Sequence, residues 1–358
     1  MPHLLVDISS HGFGHVAQTA PVVNELARRI PGLRVTLRSA APLDLLRQRF
    51  HCDFQHIPLA LDFGMRMSNA LDVQVEQSAA AYRELHADWQ HSVAREAEAM
   101  RALHPDLLLA NVPYLSLAAA HEAGVRAVGM CCLNWADIYR HYCVQDVATN
   151  IIHAQMLEAY NSAECFLRVQ PTMPMPDFSN ARSIGPTAQL GCPQRALIEE
   201  RVPSASEEKL VLVAMGGIDM RLPMERWPAV PGVRWLVPQA WGIARDDITA
   251  FETLGLSFSD VLASCDAVLT KPGYGTFAEA ACAGVPVLYV TRRDWPEEPY
   301  LVQWLEQHGV CREVERSALQ CGELHDALQQ FLAQPRPVAP VPSGASEAAD
   351  YLVTLLGS

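Results

Sequence analysis

Two histidines bracket a glycine loop at residues 11–15, His-Gly-Phe-Gly-His, directly behind the apolar run Leu4-Leu5-Val6-Asp7-Ile8. Imidazole takes up and returns protons near neutrality. A strand, a glycine turn and a helix start would surround it with backbone N–H groups and a positive helix end. His15 closes the loop where the helix begins and is the candidate base, with His11 as its neighbour. Gly12 and Gly14 let the backbone approach a ligand closely. Read literally, Gly12, Gly14 and Ala17 also satisfy the dinucleotide fingerprint G-x-G-x-x-A, the mark of an NAD(P)-dependent oxidoreductase. That chemistry calls for an acidic residue at the end of the next strand, where "RVTLRSA" ends in Arg38 and Ser39.

A second cluster lies far along the chain. In "SCDAVLTKPGYGTFAEAACAGVPVLYVTRRDWPEEPYL" (264–301), an apolar strand runs into the turn Pro272-Gly273-Tyr274-Gly275-Thr276 and then a helix carrying Glu279 one turn in. The glycines permit close approach to phosphates, Thr276 offers a hydroxyl and an N–H, and the Glu279 carboxylate could accept hydrogen bonds from a ribose diol. In isolation Glu279 reads equally well as a capping-box partner of Thr276. A further glycine pair, Gly216-Gly217, ends the strand "KLVLVAMGG" (209–217), and Arg292, Arg293, Glu297 and Glu298 follow downstream.

The elements that must position these groups alternate. Strand-like 3–9, helical 15–30, strand-like 33–39 and helical 42–49 open the chain in an α/β pattern. Val75, Tyr82, Leu85, Trp89 and Val93 repeat at helical spacing and predict one long helix over about 71–103, its stripe facing the core. Buried strands follow at 105–110 and 127–130, then after a break at 209–217, 266–270 and 285–290. The break is the proline-rich "QPTMPMPDF" (170–178), which continues neither a helix nor a central strand. The expected division is therefore a first lobe over 1–170, a second over 171–336, and a proline-rich spacer with a closing helix over 337–358.

Composition bounds the function. The chain has 358 residues and a formal net charge of −13, and nucleic-acid binding needs an excess of Lys and Arg to neutralise phosphate. No apolar run approaches the ~20 residues that span a bilayer, and no signal segment opens the chain, so a soluble cytoplasmic protein is expected. Ten cysteines without a CxxC pair predict free thiols. Neither His51-Cys52-His56 nor His141 with Cys143 has a second half at zinc-site spacing, so no metal site is expected.

With these segments in view, the chain resembles the two-lobed GT-B glycosyltransferases, near the peptidoglycan N-acetylglucosaminyltransferases and the UDP-glycosyltransferases. "GFGHVAQTAPVVNELARR" is similar to their amino-terminal glycine loop and helix, "VLVAMGG" to the strand and loop opening the donor lobe, and "KPGYGTFAEAACAGVPVLYV" to their nucleotide-sugar signature. The resemblance is closer still to the glycosyltransferase-like N-terminal module of plant arabinokinases, through "NWADIYRHY" (134–142), "KPGYGT" and "RRDWPEEPYL" (292–301).

The resemblance implies two Rossmann-like lobes facing across a cleft, with a C-terminal helix crossing back to the first. It implies transfer of a sugar from a nucleotide sugar, UDP-linked by preference, to a hydroxyl acceptor whose identity the sequence does not encode. His15 would accept the hydroxyl proton. Gly216 and Gly217, with Pro272 to Thr276, would cradle the diphosphate through N–H dipoles without a metal or cofactor, aided by Arg293, and Glu279 would hold the ribose. Glu297 and Glu298 stand where relatives grip sugar hydroxyls. Two positions depart from the pattern: Asn111 ends the strand after which relatives carry a carboxylate for the histidine, leaving Asp137 or another carboxylate to serve it, and Ile218 replaces a small hydroxyl residue after the glycine pair. The competing readings are a non-catalytic nucleotide-sugar sensor or protein–protein interaction module, and a nucleotide-sugar epimerase using Asp137, Glu297 and Glu298. Trp135 and Tyr139 could stack on an acceptor or simply pack.

Overall fold

The computed structural model describes residues 1–218, 220–336 and 338–357. Its chain divides into two compact units: Met1–Ser68, Val73–Thr187 and Pro342–Ser358 form the first, and Asn69–Asp72 with Ala188–Val341 form the second.

The first unit runs β1 (His3–Ile8), α1 (Gly14–Arg29), β2 (Arg34–Arg38), α2 (Leu43–Arg49), β3 (Gln55–Ile57), α3 (Val75–His86), α4 (Trp89–Leu103), β4 (Leu107–Asn111), α5 (Tyr114–Ala123), β5 (Ala127–Cys131), α6 (Trp135–Cys143), α7 (Val147–Asn161), β6 (Cys165–Val169) and β7 (Ala181–Ile184). Its seven strands pair in the order β3-β2-β1-β4-β5-β6-β7. Every pairing is parallel, which requires helical crossovers and leaves the central strands covered on both faces. β1, β4 and β5 are accordingly buried at every position, the reason they read as mostly apolar segments and not as alternating ones.

The second unit runs α8 (Arg195–Arg201), β8 (Lys209–Ala214), β9 (Val233–Val237), β10 (Ile248–Ala250), α9 (Phe258–Ser264), β11 (Ala267–Thr270), α10 (Tyr274–Cys282), β12 (Val287–Tyr289), α11 (Glu298–His308), β13 (Cys311–Glu313), α12 (Ala318–Cys321) and α13 (His325–Leu332). Its six strands pair in parallel in the order β10-β9-β8-β11-β12-β13. One of its cores gathers Val211, Val213, Trp227, Trp235, Leu269 and Phe331. The last helix, α14 (Gly344–Leu356), returns to the first unit. It buries Ala348, Ala349, Leu352 and Leu355 and packs on α1, where Arg29 reaches Ser346 Oγ at 2.6 Å and pairs with Asp350.

Two expectations shift. The long helix of 71–103 is two helices, α3 and α4, broken at Ala87 and Asp88. The break lets His86 stack on Trp89 at 4.7 Å while bonding Tyr114 Oη and Gln155 Oε1 at 2.8 and 2.7 Å. The crossing between units falls after Thr187, not at 170/171. Beyond the prolines the chain still supplies β7 to the first sheet, where Phe166 to Val169 pair with Ala181 to Ile184. The ten cysteines are all free. Among the described residues no helix is long and apolar enough to cross a membrane, and no cluster of three His, Cys, Asp or Glu side chains could hold a metal ion.

Candidate functional site

In the first unit, β1 ends at Ile8 and the chain turns through Ser9 to Phe13 into α1. Gly12 takes φ 80°, a left-handed turn that costs an L side chain about 1–2 kcal/mol. α1 receives no side-chain cap, so its first-turn N–H groups keep their positive end. His15 lies in that first turn and is buried. Its Nδ1 is 2.9 Å from Asn111 Oδ1 at the end of β4 and 3.7 Å from Cys131 Sγ at the end of β5. Two neighbouring strands thus orient one imidazole, with Asn111 in the place where a carboxylate was sought.

A helix N-terminus by itself disfavours an imidazolium, but the other groups around His15 act the opposite way. Burial alone lowers the His15 pKa, but the Cys131 sulfur, the hydrogen bond to Asn111 and the Asp62 carboxylate outweigh it and raise the imidazole to about 9. Burial pushes the Cys131 thiol up, yet its neighbours Cys132 and His15 bring it below its usual range. The pair therefore favours imidazolium with thiolate. Asp62 is the carboxylate of this site: it accepts from Ser9 Oγ at 2.8 Å, Ser10 N at 3.2 Å and Trp135 Nε1 at 2.8 Å. Burial holds its carboxyl above the usual range against the pull of His15.

Asp137 does not serve His15. It is the third residue of α6, its N–H caps onto Asn134 Oδ1 at 2.8 Å, and its two oxygens accept from Asn134 Nδ2 and Arg140 Nη2 at 2.9 and 2.8 Å. An acidic residue in a helix's first turn is explained by the cap alone. Trp135 and Tyr139 are fully buried. Trp135 forms a wall on which His11 stands edge-on at 5.1 Å and His15 tilts at 5.9 Å; Tyr139 packs on Tyr82 at 4.8 Å. Arg38, where a dinucleotide ribose would be read, is committed: it chelates Asp7 at 2.7 and 2.6 Å and pairs with Glu96.

In the second unit, two glycine loops leave the C-terminal ends of adjacent strands. Gly216 and Gly217 follow β8, and Lys271 to Gly273 follow β11, the two strands being paired from Val211–Ala267 to Ala214–Thr270. Gly216 has φ 83° and is exposed. Gly273 caps α10 with no side-chain acceptor, leaving the N-terminus of that helix, from Tyr274 through Gly275 to Thr276, without a side-chain cap. The capping-box reading of Glu279 is thereby removed, since Thr276 sits inside the helix. Glu279 is 2 % exposed, one turn further on.

Lys271, absent from the sequence-based candidates, runs between these loops. A methyl built on Gly216 would lie 3.5 Å from its Cε, and one built on Gly273 would lie 3.0 Å from its Nζ. The signal was present as the residue heading "KPGYGT", but nothing in the sequence says that its chain reaches back over β8. Beyond β12, Arg292 and not Arg293 turns inward: Arg293 is exposed, whereas the Arg292 guanidinium lies 3.9 Å over the Trp295 ring. Glu298 Oε2 accepts from Arg292 N at 2.8 Å and Glu297 Oε2 from Trp295 Nε1 at 3.0 Å. Both glutamates are buried, and burial pushes Glu298 up to about 7.

Two parallel-sheet Rossmann-like units define the GT-B fold. The structure resembles the calicheamicin glycosyltransferase CalG4, with a TM-score of 0.64 and 18% identity over 99% of this chain and 98% of that one. It also resembles UGT89C1 of Arabidopsis thaliana complexed with UDP (TM-score 0.62, 15% identity, 99% and 100% covered) and a UDP-N-acetylglucosamine 2-epimerase (TM-score 0.57, 15% identity, 99% and 97% covered). In sequence, the chain is 25% identical over 342 residues to L-arabinokinase of Arabidopsis thaliana, an alignment spanning 91% of this chain and 32% of that protein. The chain thus spans about a third of the length of that curated relative. No family model matches the chain.

Proposed function

We propose that this protein is a glycosyltransferase that moves a sugar from a nucleoside diphosphate sugar, UDP-linked by preference, to a hydroxyl acceptor. The observation that carries the reading is the pair of glycine loops at the ends of β8 and β11, closed by an uncapped helix N-terminus with Glu279 buried behind it. Such a place binds diphosphate through N–H dipoles and leaves a carboxylate for a ribose diol. Complexes of the similarly folded UGT89C1 with UDP and with UDP-L-rhamnose agree with it. In this reading His15 of the first unit takes the proton of the acceptor hydroxyl, and Glu297 and Glu298 meet the donor sugar. The leaving diphosphate is stabilised by N–H dipoles and cations without a metal, because no Asp-x-Asp pair adjoins either loop.

Titration calorimetry with UDP tests it. Glu279→Ala should weaken binding by about 1–3 kcal/mol, the value of charge-assisted hydrogen bonds left unmade, and EDTA should leave binding unchanged. Undiminished affinity in the variant removes Glu279 from the site. A strict magnesium requirement overturns the metal-free phosphate site. The likeness to a UDP-N-acetylglucosamine 2-epimerase, together with two buried carboxylates, favours one second reading, epimerisation of the donor. Incubating nucleotide sugars with the protein alone separates the two: an epimerase changes the sugar with no acceptor present, a transferase does not.

A further inference from the structure

Lys271 occupies an unusual position for a lysine. It leaves β11 in a partly buried place, its stem passes the Gly216 loop of the neighbouring strand, and its Nζ faces Gly273 at the head of α10. The charges acting on it come from two sides: Arg292 beyond β12 repels the ammonium, and Glu297 and Glu298 at the start of α11 attract it; on α10, Glu279 is buried one turn into the helix. Asp219, near the other loop, lies outside the described residues.

We infer that Lys271 is a proton-coupled anchor for the diphosphate, an amine that gains its proton as the dianion settles between the two glycine loops. The inference rests on the donor reading above and adds to it the group that senses the charge and the pH range over which it does so. Two features of the geometry argue for it. The amine stands at the place where both loops allow the closest backbone approach, so an anion held by their N–H groups also meets Nζ. Arg292, the cation whose charge acts on it, disfavours a second positive charge until an anion arrives. Burial first, and Arg292 second, lower the lysine to about 7, so in the ligand-free protein the neutral amine is well populated at neutral pH. An adjacent dianion favours the ammonium, and linkage then requires uptake of a proton on binding and weaker binding as pH rises above 7.

The test is titration calorimetry of the whole chain with UDP and, separately, with inorganic diphosphate, at pH 8.5 in buffers of different ionisation enthalpy. The terminal phosphate of UDP, with a second pKa near 6, is fully ionised at that pH, so the proton count is read with UDP; inorganic diphosphate still titrates there and serves for the comparison of affinity. The wild-type protein should take up close to one proton per ligand, and its affinity should fall roughly tenfold per pH unit between 7.5 and 9. Lys271→Arg, permanently charged, should bind within a few-fold of wild type with no uptake and a flat pH dependence. Lys271→Met should bind about 10- to 100-fold more weakly, also without uptake. Glu298→Gln removes the other group that titrates nearby and should retain the uptake. Wild-type binding without proton uptake, or uptake that survives Lys271→Arg and vanishes in Glu298→Gln, overturns the inference. UDP binding with uptake, matched in affinity by inorganic diphosphate so that the uridine adds nothing, leaves Lys271 in place and overturns the nucleotide reading. Binding of neither ligand by folded protein overturns both.

Discussion

His15 rests mainly as imidazolium at neutral pH, so the neutral form that can take the acceptor's proton is the minor one, and that decides its pH behaviour. A base works in its deprotonated form; with the pKa raised to about 9 by Cys131, Asn111 and Asp62, kcat/KM should climb as pH rises toward 9. Removing the sulfur takes away the first of those opposing effects, so Cys131→Ala should move the climbing limb toward acid by a unit or more. A profile identical to wild type would show that Cys131 does not act on the base. Asp62→Asn should shift the limb in the same direction, while Asp137→Asn, which touches only the cap of α6 and Arg140, should leave it in place. His15→Ala should lower turnover by roughly 10²- to 10⁴-fold with UDP affinity within about twofold, because the proposed donor residues all belong to the second unit. The histidine itself was visible as the end of a glycine loop. Asn111 stood in the partner's place through the resemblance, but Cys131 and Asp62 were not visible, since they come from two other segments and only the tertiary fold brings them to the ring.

At the level of the element, the donor loops depend on backbone conformations that particular residues allow. Gly216→Ala places a Cβ on a residue at φ 83°, a strain of about 1–2 kcal/mol, while the methyl would still clear Lys271 Cε at 3.5 Å. Thermal melts should therefore show a small loss of stability, and UDP should bind more weakly because the loop must relax from the conformation that presents its N–H groups. Unaltered UDP binding would mean that this loop does not touch the ligand. The strands carrying these loops were legible because parallel strands covered on both faces must be apolar throughout. The break between α3 and α4 was not, since the apolar stripe continues through it and only the packing of His86 against Trp89, Tyr114 and Gln155 ends the first helix.

For the whole molecule, the return of α14 to the first unit makes a prediction that separates the two halves. Leu352 is fully buried on that helix, and Leu352→Ala should cost about 2–5 kcal/mol, borne by the first unit alone. Followed by calorimetry, the variant should show one transition moved down and a second, still raised by UDP, nearly unmoved. If both transitions fell together and UDP no longer raised either, the assignment of α14 and of the nucleotide to different units would be wrong.

The sequence alone determined what depends on short range: the strand, glycine turn and helix arrangements at 3–29 and 266–282, the α/β class, the closing helix, and the identity of His15, the glycine pairs and Glu279 as groups worth examining. Each follows from burial periodicity or turn chemistry within some thirty residues. Tertiary structure decided what depends on strand order. It brought Asp62 toward His15 and committed Asp137 to a helix cap, turned Arg292 inward in place of Arg293, carried β7 past the prolines into the first sheet, and laid Lys271 across the loop of a strand some sixty residues earlier. Parallel sheets join segments distant in the chain through crossovers, so a residue's electrostatic neighbours there are set by which strands lie side by side and not by spacing along the sequence.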